Sequence, residues 1–275
     1  MAGTEGELTG LVAVVTGGGG RLGGEMATEL ARRGASVAVA DIDGSRAEAR
    51  AASLRDAGGD GMAVQVDIGD DASVDAAFDA VATRFGGLDV LVNNAAPTAL
   101  VAHDAPLAQI DLGTWDAMLR GILRGTMLCS RRAIPMLSAR GGGSIINIAS
   151  IHAHAGDPEL TAYPVAKAGL LGITRAVATQ YGSVGIRCNT ITLGTYLPRT
   201  APEEWRQRKV AHQLVPRDGR PADAANAVAF LASPASSFIT GADLAVDGGL
   251  LAHLPSYADA GTRLEQLRGE HDKES

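Results

Sequence analysis

The chain has 275 residues, 46% of them hydrophobic, which suffices to close one large α/β domain or two small ones. Its 31 acidic residues outnumber 24 basic ones, for a formal charge of −7, and the arginines are scattered among acids, so nucleic acid is excluded as a partner. Cys129 and Cys188 are isolated and fit no metal spacing, the opening MAGTEGELTG lacks the basic and apolar regions of a leader, and no window is apolar enough for a membrane span, so a cytoplasmic protein without membrane association is expected.

From Leu11 onward short β-branched runs alternate with stretches of helical period. LVAVVTG precedes an Ala-rich helix to Arg33, and ASVAVAD precedes a second helix to Ala57. GMAVQVD, LDVLVNNA, GSIINIAS and GIRCNTITLG continue the pattern, and ADLAVDGG, near residue 248, supplies the last strand signal. Runs this short and this uniformly apolar are buried on both faces, which predicts an α/β fold with a single doubly wound parallel sheet of Rossmann type and helices on both faces. Without a linker or repeat to interrupt it, residues 1–252 are expected to form one Rossmann-type domain. Residues 253–275, polar with a short amphipathic stretch, form a C-terminal extension.

The first strand runs into TGGGGRLGGEMATELARRG, where glycines permit a tight turn and let backbone N–H groups approach a pyrophosphate at a helix N-terminus. The second strand ends at Asp41, 18 residues past Gly23, where a carboxylate can accept hydrogen bonds from the adenosine ribose. An Asp there repels a 2′-phosphate and no Arg directly follows, so NAD is favoured over NADP. Further on, LTAYPVAKAG sets Tyr163 and Lys167 one helical turn apart, in a chain where 21 of the 24 basic residues are Arg. A phenol titrates near pH 10, too high for a base at neutrality, and a cation four residues on favours the phenolate.

These segments resemble the short-chain dehydrogenase/reductase family from Leu8 to Gly249. The family's TGxxxGxG maps to Thr16, Gly17 and Gly23, but its middle glycine is Arg21 here, followed by Leu22, a form resembling that of pteridine reductases. The resemblance implies that Asp67 and Ile68 flank the adenine and that Asn94 lies near the adenosine side, with Ala96 replacing the glycine of NNAG. A family Ser stands 13 residues before the Tyr, and Ser150 meets that spacing. By resemblance Ser150 holds the substrate oxygen, Tyr163 exchanges its proton, and Lys167 reaches the nicotinamide ribose while hydride passes to or from the nicotinamide.

Three departures accompany the match. The family's helix Asn, seven residues after the motif Trp, falls on Ile122, so the water it usually holds loses its side-chain partner. The PG pair after strand six is Leu193 and Gly194, and the threonine expected four residues past that glycine is Pro198, which leaves Thr195 and Tyr196 as the cofactor-contacting residues there. His152 and His154 either shape the substrate pocket, with Ala96, Leu193 and Trp205, or assist proton exchange. No metal site is expected.

The reading that results is an NAD(H)-dependent oxidoreductase interconverting a secondary alcohol and a ketone on a hydrophobic or alicyclic small-molecule substrate. The alternatives are a pteridine-type or C=C reductase, suggested by Arg21, and a dinucleotide-binding sensor with weak chemistry, suggested by Ile122, Leu193 and Pro198. The resemblance further implies a homotetramer or homodimer.

Overall fold

The computed structural model of the chain describes residues 6–198 and 200–254. Seven strands form one sheet in the order β3-β2-β1-β4-β5-β6-β7, every pairing parallel: β1 Val12–Thr16, β2 Ser36–Asp41, β3 Gly61–Gln65, β4 Val90–Asn93, β5 Gly143–Ser150, β6 Ile186–Leu193 and β7 Asp243–Val246. Each run read as a strand in the sequence is one. The expected buried-on-both-faces character holds for β1, β2, β4 and most of β5 and β6; only β7, at the sheet edge, is largely exposed.

Helices cover both faces. On one lie α1 (Arg21–Arg32), α2 (Gly44–Asp56) and α8 (Pro221–Ala232), which close over Met26, Leu30, Val15, Val37, Ile191 and Val228. On the other lie α3 (Asp71–Phe85), α5 (Gly125–Ala139) and α6 (Ala162–Tyr181), over Phe78, Leu91, Leu128, Leu137, Ile145 and Ile186. A third, smaller cluster joins α4 (Leu112–Leu119) to α6 through Met118, Ile122, Ala162, Ala166 and Leu170. Between α4 and α5 the helix widens into a π turn over Arg120–Arg124, a local departure from the regular hydrogen-bond ladder that often marks functional sites.

The order of the sheet places its topological switch between β1 and β4, where chain direction reverses outward from β1 toward β3 and from β4 toward β7. A crevice forms there at the carboxyl ends of the strands, because the connections leaving β1 and β4 depart to opposite faces. The C-terminal extension lies outside the described residues beyond Leu254.

Candidate active site

A cavity of about 890 Å³ occupies that crevice, lined by the glycine loop, the ends of β2 to β6 and the start of α6. Two glycines in its wall are sterically required. Gly17 turns with φ +63°, in the left-handed region, and a Cβ on Gly23 would sit 2.3 Å from the Gly17 carbonyl oxygen. The loop therefore packs tightly under α1, whose N-terminus has neither a side-chain cap nor an acidic residue in its first turn. Open N–H groups and the helix dipole there suit an anion such as a pyrophosphate. Arg21 adds a cation, and its guanidinium donates to the Tyr196 carbonyl at 2.6 Å, bridging the two sides of the cavity.

Asp41 lines the far end, buried at the tip of β2. Its Oδ2 accepts from the Gly19 N–H at 3.0 Å and its Oδ1 from the Asp43 N–H at 3.1 Å, which fixes the carboxylate against the glycine loop. Ile42 beside it is 66% exposed, an apolar face turned toward the cavity mouth. The sequence contains no Arg directly after Asp41, yet the fold brings one in: Asp43 caps α2 by accepting from the Ser45 and Arg46 N–H groups, and this first turn lays Arg46 along the cavity wall. Its Cβ would stand 2.8 Å from a Cβ on Gly19.

Asp67 and Ile68 line the same region, Asp67 fastened by the Gly69 N–H at 2.8 Å and by Arg120 at 2.9 Å. Asn94 braces the loop itself, its Nδ2 donating to the carbonyls of Thr16 at 3.0 Å and Gly17 at 3.4 Å. Leu22, Ala96, Leu193, Pro198 and Tyr196 also face the cavity. Thr195 does not; it lines a second cavity of about 400 Å³ with Gln213 and Arg217, on the other side of Tyr196. Trp205 is 43% exposed on α7 (Glu203–Val210) and does not line the main cavity. The residues of the glycine loop and β2 thus fit a nicotinamide dinucleotide: an anion cradle with the Asp41 carboxylate fixed beside it at the tip of β2.

Ser150, Tyr163 and Lys167 meet at the opposite end. Ser150 is the last residue of β5, and its hydroxyl stands near enough to Tyr163 to favour the ionised phenol. Tyr163 and Lys167 project from the first turns of α6, a helix that lacks a cap of its own. Asp104, from the loop after β4, supplies one: its Oδ1 accepts from Thr161 at 3.1 Å and Ala162 at 3.0 Å, and its Oδ2 from the Tyr163 N–H at 2.9 Å. Burial alone would raise this carboxyl, but the backbone donors of Tyr163, Ala162, Thr161 and Ala105 outweigh it and hold the group below the usual range.

Lys167 is buried, donates to the Ile148 carbonyl at 2.7 Å and lies 5.8 Å from the centre of the Tyr163 ring. Burial brings its pKa down to about 8. In the protein alone, burial raises the Tyr163 phenol above its usual value and the Ser150 hydroxyl offsets part of this. Ile122 faces none of these polar atoms; it is fully buried among the α4 and α6 side chains, so the position of the family Asn is dry.

The two histidines separate, and neither lines the cavity. His152 sits behind Ser150, with Nδ1 3.0 Å from Ser150 Oγ, Nε2 3.3 Å from Asp157 Oδ2, and its ring edge-on to Tyr163. His154 turns away toward Asp243 and Thr192, at 2.8 and 3.2 Å. Among the described residues no group of three His, Cys, Asp or Glu could hold a metal ion, and no helix is long and apolar enough to cross a membrane. Sequence reading missed three groups: Arg46, hidden by its offset from Asp41, and Asp104 and Asp157, loop carboxylates whose partners lie in other segments.

Residues 21–251 match the family model described as enoyl-(acyl carrier protein) reductase. A probable short-chain type dehydrogenase/reductase of Bradyrhizobium diazoefficiens is 44% identical over 272 residues, covering 96% of both chains. The chain belongs to the short-chain dehydrogenase/reductase family. The cis-4-hydroxycyclohexanecarboxylate dehydrogenase of Sinomonas cyclohexanicum is 42% identical, over 88% of this chain and 96% of that one. The crystal structure of a putative short-chain alcohol dehydrogenase from Sinorhizobium meliloti superposes with a TM-score of 0.83 at 32% identity, over 90% of this chain and 98% of its own. The protein is accordingly an oxidoreductase of the nicotinamide-dependent type that family members share.

Proposed function

We propose that the chain is an NAD(H)-dependent alcohol dehydrogenase/ketoreductase that interconverts a secondary alcohol and a ketone on a hydrophobic or alicyclic substrate. The observation that carries this is the convergence of the Ser150 and Tyr163 hydroxyls, with Lys167 behind them, at one end of a cavity whose other end holds Asp41. The bound dinucleotide supplies the hydride acceptor or donor. Ser150 and Tyr163 hold the substrate oxygen between two hydroxyls, Tyr163 exchanges a proton with it, and the buried Lys167 ammonium orients the ribose edge of the cofactor. Ala96, Pro97 and Leu193 give the adjoining wall an apolar surface, and the similarity to a dehydrogenase named for a cyclohexane substrate supports an alicyclic ring there.

NAD is preferred because the Asp41 carboxylate occupies the place of a 2′-phosphate. Gly17, Arg21, Leu22, Gly23, Asp67, Ile68, Asn94 and Tyr196 complete the cofactor site. A C=C reductase is the second reading, favoured by the description of the matching family model; Ser150, a hydroxyl suited to an oxygen substrate, weighs against it. The protein works as a cytoplasmic homotetramer or homodimer.

The test is a screen of NAD+ and NADP+ reduction across cyclic, steroidal and aliphatic secondary alcohols. Turnover of cyclic alcohols with NAD+ preferred is the expected result. Turnover confined to NADH- or NADPH-dependent reduction of 2-enoyl thioesters would replace the reading with the second one.

A further inference from the structure

Ser150 closes β5, and the chain turns at once into a single helical turn, Ile151–Ala153, that sets His152 beside it. Two contacts tie the Ser150 hydroxyl to that one residue: Oγ accepts from the His152 backbone N–H at 3.3 Å, and the ring nitrogen Nδ1 stands 3.0 Å from Oγ. The other ring nitrogen, Nε2, faces Asp157 Oδ2 at 3.3 Å. An ionised carboxylate only accepts, so Nε2 carries a hydrogen and the neutral imidazole has a bare Nδ1. In that state the Ser150 hydrogen donates to Nδ1, back into the loop and away from the cavity. Protonation of the ring reverses the bond. Nδ1–H then donates, Ser150 Oγ accepts from it and from the backbone N–H, and the Ser150 hydrogen is released toward the cavity.

We propose that His152, held by Asp157, is a positioning residue that sets the direction of the Ser150 hydroxyl: the imidazolium leaves its hydrogen for the substrate oxygen, and the neutral ring withdraws it. The proposal rests on the dehydrogenase/ketoreductase reading. A ketone oxygen has lone pairs and no hydrogen, so Ser150 holds it only as a donor, and ketone reduction is the direction in which the two states of His152 differ most. His152 touches neither substrate nor cofactor, in agreement with its place outside the cavity wall. No proton passes through Ser150; the reacting proton stays between the substrate oxygen and the Tyr163 hydroxyl.

The His152 and Asp157 side chains are 28% and 27% accessible, so the ring exchanges protons with solvent without involving the cavity. An imidazole there can change state within the physiological pH range. The charged or titratable groups around it are Asp157 on its own loop, Tyr163 and, beyond the Tyr163 ring, Lys167 on α6, and the His154–Asp243 pair toward β6 and β7. Burial brings Lys167 to about 8, so it titrates in a neighbouring range. Asp157 separates the two, because it faces His152, whereas Lys167 donates to the Ile148 carbonyl.

The experiment has a kinetic arm and an arm independent of turnover. For cyclohexanone with saturating NADH, wild-type kcat/KM is expected to fall about 10-fold as pH rises through the His152 titration, mainly through KM, the scale of one lost hydrogen bond. His152→Phe keeps a ring beside Tyr163 but offers Ser150 no acceptor, so it should hold the low-pH KM over the same range. Asp157→Asn, which leaves the imidazolium facing a neutral amide, should displace the fall to lower pH. A His152→Phe KM that climbs as in wild type, or a fall that Asp157→Asn leaves in place, would overturn the proposal. In the second arm, imidazole nitrogen NMR of the protein without substrate is expected to show His152 titrating over the same range into the neutral Nε2–H tautomer, with its Nδ1 signal shifting on Ser150→Ala. A neutral Nδ1–H tautomer would overturn it, since that nitrogen never captures the Ser150 hydrogen. If wild-type protein turns over no ketone or alcohol, the dehydrogenase reading fails on its own, and the tautomer with its response to Ser150→Ala still decides whether His152 turns the Ser150 hydroxyl.

Discussion

At the scale of single residues, Tyr163 and Lys167 carry opposite consequences for activity and stability. Tyr163→Phe and Lys167→Ala are each expected to lower turnover at least about 100-fold, because each removes a positioned acid–base or orienting group; near-wild-type kcat in either variant would end its role. The Lys167 side chain also costs the fold stability. Burial lowers its pKa from 10.5 to about 8, so between those values the unfolded chain binds one proton more than the folded chain and stability rises with pH. Below about pH 8 the whole cost is present, roughly 3 kcal/mol before the hydrogen bond to Ile148 offsets part of it. Lys167→Met is therefore expected to melt higher than wild type at pH 7, with the difference shrinking toward pH 10.5, while turnover is lost. A lower melting temperature for the variant at pH 7 would contradict this account. Asp41→Ala should relax cofactor choice toward NADP because the structure holds Arg46 ready for the exposed 2′-phosphate, and the gain should vanish in Asp41→Ala/Arg46→Ala. Equal NAD/NADP ratios of kcat/KM in all three proteins would show that neither residue faces the ribose.

At the scale of elements, the sequence made the strands and the glycine-loop helix legible because each obeys a local rule. A strand buried on both faces must be a continuous apolar run, and a loop that passes under a helix at Gly17 and Gly23 must be glycine at those points. Tyr163 and Lys167 stood out by their one-turn spacing, whereas Ser150 was assigned only through the family's 13-residue spacing. The helix carrying Tyr163 is different, since its cap comes from Asp104, 57 residues before Thr161, and nothing in the local pattern marks it. The π turn at Arg120–Arg124 likewise leaves no signature in a segment that reads as one continuous helix. The remote cap makes a prediction. Asp104→Ala strips acceptors from three α6 donors and should cost about 1–2 kcal/mol in urea unfolding, together with a fall in kcat as Tyr163 loses its anchor. Asp104→Asn, which keeps an oxygen for Thr161 and Ala162 but not a second one for Tyr163, should fall between. Because the folded carboxyl titrates below its unfolded value, its contribution is present above the unfolded pKa and is lost as pH falls through the folded one, so wild type and Asp104→Ala should converge in stability at acid pH. Parallel curves across that range would rule out the cap as an ionised group.

At the scale of the whole molecule, the fold leaves one side of the sheet unfinished. β7 is an edge strand with Asp243, Leu244 and Ala245 exposed, although every other strand except β3 at the far edge is packed almost throughout. A flat exposed edge with an apolar side chain is a liability that proteins cover or charge. Here the surroundings add to it: Phe230 on α8 is 37% exposed, Leu244 37%, and Phe238, in the turn between α8 and β7, is wholly exposed. Three large apolar groups within and beside SFITGADLAVDGG make an exposed surface of the kind that a second copy could bury. A two-fold axis along this edge would place the same patch on both subunits, so each substitution acts twice. Phe238→Asp and Leu244→Asp are therefore expected to shift sedimentation from tetramer or dimer to a smaller species, with the double variant shifting furthest. Neither residue lines the active-site cavity, so the first effect should be on assembly and on melting temperature, the latter becoming dependent on protein concentration in the weakened variants. A wild-type chain that sediments as a monomer at micromolar concentration, or charged variants that keep the wild-type assembly, would show that this edge is covered by nothing and tolerated as it stands.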